Sequence, residues 1–234
     1  MRPMDVGPQR RRQADRTRSQ ILAAAARHFA ERGFAAARLE DVAREVGIGR
    51  SAVLYHFKDK RGLYRAVLDH IFGELHEILR SSLMTAGSLA DRLESAVGAF
   101  VDFMAQRPTA ARLAIRESVH PDPQTREDIQ RQTQPFLELI DLTFEEGERS
   151  GAFRPQRSDP LHLVSTVVGA TLFYVAALPT LVGELPFDPL SDEQLAAHKR
   201  DMLDVTRRLL GIRAPRALSG GRRSGGTASR GRDR

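Results

Sequence analysis

Residues 39–60 read LEDVAREVGIGRSAVLYHFKDK. Two short apolar-periodic runs, 39–46 and 50–57, flank the turn Gly47-Ile48-Gly49. At helical spacing Val42, Val46 and Ile48 fall on the inner side of the first run, and Val53 and Phe57 on the inner side of the second. Ala43 is small enough for two helices to meet at close range. Gly47 is free to adopt φ > 0, which a sharp turn between steeply crossed helices requires. The pattern predicts a helix-turn-helix. Arg50, Ser51, Ala52, Leu54, Tyr55 and His56 are left on the outer face of the second helix, where such units meet the edges of DNA bases.

The helical rhythm continues on both sides. Upstream, Ile21, Ala25 and Phe29, with Leu22 and Ala26 beside them, stripe a helix expected over 15–32. Gly33 is placed to end it, and Phe34 to fold back onto it. Downstream, Leu63, Val67, Ile71, Leu75 and Ile78 stripe a long helix over 60–84, widened by Tyr64, Leu68, Phe72 and Leu79. Further helices are expected over 89–106, 109–119, 125–149, 160–182 and 191–210. Pro108, Pro121, Pro123, Ser150-Gly151 and the segment 183–189 separate them. Strand patterns are nearly absent. The fold class expected is all-α: an N-terminal three-helix domain carrying the helix-turn-helix, then a C-terminal helical domain.

Charge divides the 234 residues in the same way. Residues 1–60 sum to +6, residues 61–210 to −6 and residues 211–234 to +6. A basic front on an acidic body fits a polyanionic partner for the front, although two solvated basic termini would give the same sums. Residues 1–14, with Arg10-Arg11-Arg12, are expected to form a disordered basic arm that either enters a minor groove or stays idle. Residues 213–234, rich in Gly, Ser and Arg, are expected to be a disordered basic tail. Between them lie a DNA-binding domain over 15–60 and a helical domain over 61–212. The chain holds three lysines against 33 arginines. Two of the three, Lys58 and Lys60, follow the second short helix, where a flexible point charge suits a phosphate.

The N-terminal segment closely resembles the DNA-binding domain of the TetR repressor family. The resemblance is carried by Gly33-Phe34, by Asp41-Val42-Ala43, by Gly47-Ile48, by Val53-Leu54-Tyr55-His56-Phe57 and by Lys60, and it covers about residues 16–64. It implies a transcriptional repressor that binds a palindromic double-stranded DNA operator as a homodimer, with Lys60 opening the fourth helix. Two positions depart from the family pattern. Leu54 stands where the family usually has a phosphate-contacting tyrosine, and Tyr55 falls one place later. Either Tyr55 takes over the phosphate, or Leu54 packs on a thymine methyl instead. Arg38 stands where a Thr usually caps the helix; it cannot cap, but it can reach a phosphate.

The resemblance also implies that the last two helices, 160–182 and 191–210, pair across a two-fold axis as a four-helix bundle. Residues 160–183 contain no Asp, Glu, Lys or Arg. That length could span a bilayer, but Ser165, Thr166, Thr171, Pro179 and His162 argue for a buried soluble helix. Ser165, Gly169 and Ala170 would let helices approach closely. The helices between would enclose a small, largely apolar effector, with walls expected from Phe100, Phe103, Met104, Arg116, Glu117, His120, Phe136, Ile140, Phe144, Phe173 and Tyr174. The same residues could equally be ordinary core. A constitutive or architectural DNA binder without an effector is the alternative reading.

Other function classes find little support. With no cysteine, disulfides, thiolate metal sites and cysteine nucleophiles are excluded, in keeping with a reducing cytoplasm. The N-terminus lacks the apolar run of a signal peptide. No HExxH, GxSxG or phosphate-loop glycine pattern occurs, and the seven histidines are scattered. Neither an enzyme, nor a cofactor, nor a metal site, nor a membrane protein is expected.

Overall fold

The computed structural model describes residues 8–119, 123–155, 159–183 and 185–212. Among the described residues the chain forms nine helices and no strand. They are α1 (Pro8–Ala36), α2 (Leu39–Val46), α3 (Arg50–His56), α4 (Lys60–Leu83), α5 (Leu89–Gln106), α6 (Pro108–Val119), α7 (Pro123–Ser150), α8 (Pro160–Val182) and α9 (Asp192–Leu210). Within α8 a π-helical turn spans Phe173–Ala177.

Local chemistry accounts for the ends. α1 breaks at Gly33 (φ 75°, ψ 169°), a conformation that a Cβ would resist. Phe34 then folds back, its ring 6.2 Å from Phe29 and 5.1 Å from Tyr64. Gly47 takes the left-handed conformation expected of it (φ 75°, ψ 31°), and Ile48 N donates to Ala43 O at 2.9 Å. Asp59 caps α4 by accepting from Gly62 N at 2.7 Å. Ser88 and Asp91 form a capping box at α5.

One boundary differs from the expectation. α1 starts by Pro8, so Arg10, Arg11 and Arg12 ride on an exposed helix rather than in an extended arm. The physical reason is local: proline favours a first helical position, and Gln, Arg and Ala are good helix formers. The remainder of the arm and residues 213–234 lie outside the described residues.

Two cores stack along the chain. The N-terminal core gathers Ile21, Phe29, Val42, Val53 and Phe57 around Leu63, Tyr64 and Val67 of α4. Leu113 of α6 also belongs to it. The body core gathers α4 from Leu75 onward with α5, α8 and α9. α4 therefore serves both cores and admits no clean division at residue 60. Ion pairs bind it to α7: Asp128, almost fully buried, accepts from Arg65 Nε at 3.0 Å and faces Arg61 at 3.8 Å, with Arg131 of its own helix at 3.3 Å.

Candidate DNA-reading face and effector cavity

Val42, Val53 and Phe57 are buried, as their spacing predicts, and they turn the opposite face of α3 outward. Arg50 and Ser51 are exposed, and Tyr55 is 86% exposed. Ala52, Leu54 and His56 are half-buried, Leu54 against the N-terminal core. Arg38, Arg50, Leu54 and Lys60 line one open concavity together with Glu40 and Asp59. Ser51, Tyr55 and His56 stand outside it, the Tyr55 and His56 rings edge-to-face at 5.5 Å.

Arg38 sits at the N-cap of α2 with extended backbone and makes no capping bond, as expected of a side chain that only donates. Arg50 Nε lies 3.1 Å from Glu40 Oε1, an exposed pair that DNA can replace at little cost. Asp41 is held below the usual carboxylate range by the hydrogen bond from Arg44, with Arg32 adding to it, against the opposing effect of burial. Lys60 differs from the freely presented lysine expected. Its Nζ donates to Ala35 O at 2.9 Å and lies 4.8 Å from the Phe34 ring centre, closing the end of α1. Burial there lowers its pKa. Lys58 is the lysine left exposed.

Arg50→Ala is expected to cost about 1–3 kcal/mol on DNA selected by the wild-type protein from a random library, and to relax preference at one base pair. Gel-shift titration on selected and scrambled duplexes measures this. Equal losses on both would contradict a base-reading role.

The body contains a cavity of about 210 Å³ between α4, α5, α6, α7 and α8. Of the residues expected to line it, Phe100, Met104, Glu117 and Phe136 do so. Ile140 instead lines a smaller void of about 50 Å³ that shares Phe100 and Phe136. The other expected walls that the structure describes lie elsewhere, most of them held by a specific partner. Phe103 is buried beneath the Arg107 guanidinium, 4.4 Å from its ring centre. Phe144 packs on Phe153 at 6.2 Å. Tyr174 stacks on His198 at 4.1 Å, and its hydroxyl donates to Gln194 O at 3.3 Å. Phe173 is 50% exposed. Arg116 turns away to donate to Glu31 O of α1 at 3.2 Å. His120 lies outside the described residues.

The missed walls come from every helix around the cavity except α5, and on α4 they are Leu68, Ile71, Phe72, Leu75 and His76. The helical stripe marked the four apolar ones as inward-facing but not as bordering a void, and did not mark His76. The polar groups in the lining are few. Glu117 is 6% exposed, and His76 Nδ1 is buried without a hydrogen-bond partner among the described residues. Gln132, Thr133 and Ser118 complete them. His198 sits apart, its Nε2 3.2 Å from Thr171 Oγ1, and burial pushes its pKa below the ordinary imidazole value.

A helix-turn-helix on a helical body with an internal apolar cavity defines a helix-turn-helix DNA-binding regulator. Residues 21–67 match the family model for bacterial regulatory proteins of the tetR family, and residues 90–206 match the tetracyclin repressor-like C-terminal domain. The chain belongs to the TetR family of transcriptional regulators. Such regulators act by binding and not by catalysis. The chain is 32% identical over 126 residues to the HTH-type transcriptional activator FasR of Mycolicibacterium smegmatis. That alignment covers 54% of this chain and 58% of FasR, so the chain spans little more than half the length of that relative. In fold it is similar to a tetR-family regulatory protein from Rhodococcus RHA1, with TM-score 0.67 and 20% identity over 85% of this chain and 98% of the other. It is also similar to Bacillus subtilis FadR in complex with stearoyl-CoA, with TM-score 0.65 and 18% identity over 83% and 99% of the two chains.

Proposed function

We propose that this protein is a ligand-responsive repressor that binds a palindromic operator as a homodimer and is released when a small, largely apolar molecule fills its cavity. The observation that carries this reading is the position of the cavity. Leu68 and Leu113 line it and are at the same time part of the core on which α2 and α3 rest. A ligand that shifts those side chains disturbs the seat of the DNA-reading helices. The Bacillus subtilis FadR complex supports a long acyl chain as one such ligand. A void of this size between the side chains also counts against the constitutive binder, whose body would gain stability from larger side chains there.

On the DNA side, Arg50, Ser51, Ala52 and His56 are assigned to base edges, and Tyr55 to a phosphate, because it is Tyr55 and not Leu54 that faces solvent. Arg38 and Lys60 contact the flanking backbone, Lys60 after leaving Ala35 O. Dimerisation through α8 and α9 would set the spacing of the two half-sites. Activation rather than repression is the second reading, favoured by the FasR similarity. It uses the same contacts with the operator placed upstream of the promoter. A cytoplasmic location follows for a protein whose target is the chromosome.

Effector and operator binding must be coupled reciprocally. A coupling of about 1–3 kcal/mol gives a roughly 5–150-fold change in operator affinity. Thermal-shift screening of apolar compounds, stearoyl-CoA among them, should find one that stabilises the protein and stabilises it less when selected DNA is present. A screen without a stabilising compound, together with a Phe136→Ala variant that only loses stability, would overturn the sensor reading in favour of the constitutive one.

A further inference from the structure

A second opening lies where the DNA-binding unit meets the body. It is a crevice of about 620 Å³ between the end of α1, the second half of α6 and the π-helical turn of α8. Small side chains leave it open: Ala30, Ala35 and Ala36 on one side, Ala176 and Ala177 on the other. Its charged lining is mainly cationic. Arg32 is matched by Asp41 at 2.5 Å. Arg112 is exposed, with no hydrogen bond or ion pair among the described residues. Arg116 donates to the neutral carbonyl of Glu31, so its charge also lacks a carboxylate among the described residues. Glu117, the carboxylate of this lining, also lines the apolar cavity, and the two openings meet at that side chain.

We propose that the crevice holds the anionic head group, carboxylate or phosphate, of an amphiphile whose chain occupies the apolar cavity. This rests on the effector reading above and adds where the polar end goes. Among the described residues no Lys or Arg lines the inner cavity, so an anionic head buried there would lose its hydration without compensation. One wall further out, two guanidinium groups offer the planar forks that match carboxylate and phosphate oxygens. The location has a regulatory consequence. A Cβ placed on Gly33 would stand 2.7 Å from Arg116 Nε, so Arg116 is seated directly against the break in α1. A head group that draws Arg116 outward removes its bond to Glu31 O, a contact that ties the body to the DNA-binding unit.

The test is calorimetric titration of the full-length protein with dodecanol, dodecanoate and dodecyl phosphate, three probes with one chain and different heads. At least one anion is expected to bind tenfold or more tightly than dodecanol, and the better anion identifies the head chemistry. In Arg112→Gln/Arg116→Gln that advantage should vanish, with dodecanol affinity unchanged within twofold. Arg112→Gln alone, which breaks no contact among the described residues, should remove at least threefold of it and serves where the double variant loosens the joint. Dodecanol binding as tightly as both anions, or an advantage that survives both variants, overturns the head-group site and leaves the effector reading intact. Failure of all three probes to bind overturns the chain-in-cavity reading and this inference with it.

Discussion

Gly169→Arg is expected to leave a folded monomer that binds operator DNA about 10²–10⁴-fold more weakly than the wild type, because one of two linked half-site contacts is lost. α8 carries no charged residue between Pro160 and Gly183. Yet only 28% of its most apolar stretch is buried within the chain. Leu161, Ser165, Gly169 and Phe173, four residues apart, form its exposed face. Among the described residues a Cβ at Gly169 meets nothing within 4 Å, so none of them gives a reason for glycine there. Replacing a mid-helix glycine with arginine should favour the monomer's helix by roughly 0.5–1 kcal/mol, while placing a charge and a long side chain where a second copy would pack. Sedimentation and thermal unfolding read the two effects separately. A variant that remains dimeric with unchanged DNA affinity would remove this face from the interface.

Tyr64→Ala is expected to destabilise the N-terminal core by about 3–5 kcal/mol, the range for deleting a large buried aromatic side chain. Tyr64 is fully buried, with its ring edge-on to Phe29 at 5.0 Å and to Phe34 at 5.1 Å. These three rings join α1, the break at Gly33 and α4. For a chain of this size the loss corresponds to a fall of roughly 6–20 °C in melting midpoint. DNA binding should fall with it, since α2 and α3 rest on this core. Tyr64→Phe keeps the ring contacts and should cost far less, about 1 kcal/mol at most. Denaturant titration monitored by circular dichroism distinguishes them. Equal costs for the two variants would mean that the hydroxyl, not the ring, holds the joint.

Much of the DNA-reading half was legible because its determinants are close together in the chain. The inward positions of Val42, Val53 and Phe57 follow from helical spacing, and the turn at Gly47 from the need for a left-handed residue. The body was legible only as a set of helices. Phe100 and Phe136 border the cavity while Phe103 and Phe144 do not, although all four are apolar and face inward to some degree. The difference is made by Arg107 over one ring and Phe153 beside another, partners that periodicity does not reveal.

What the sequence by itself determined is therefore the local structure and the class of protein: the helix order, the helix-turn-helix, the charge division and an apolar α8. Each depends on contacts within a few residues, or on composition, and needs no knowledge of distant neighbours. Only the tertiary structure decided where the voids fall, that Lys60 closes the end of α1, and that Arg116 leaves the cavity to grip Glu31. A void is what remains when helices remote in sequence fail to fill the space between them. A long cationic side chain, in turn, goes wherever the fold happens to expose an unpaired carbonyl.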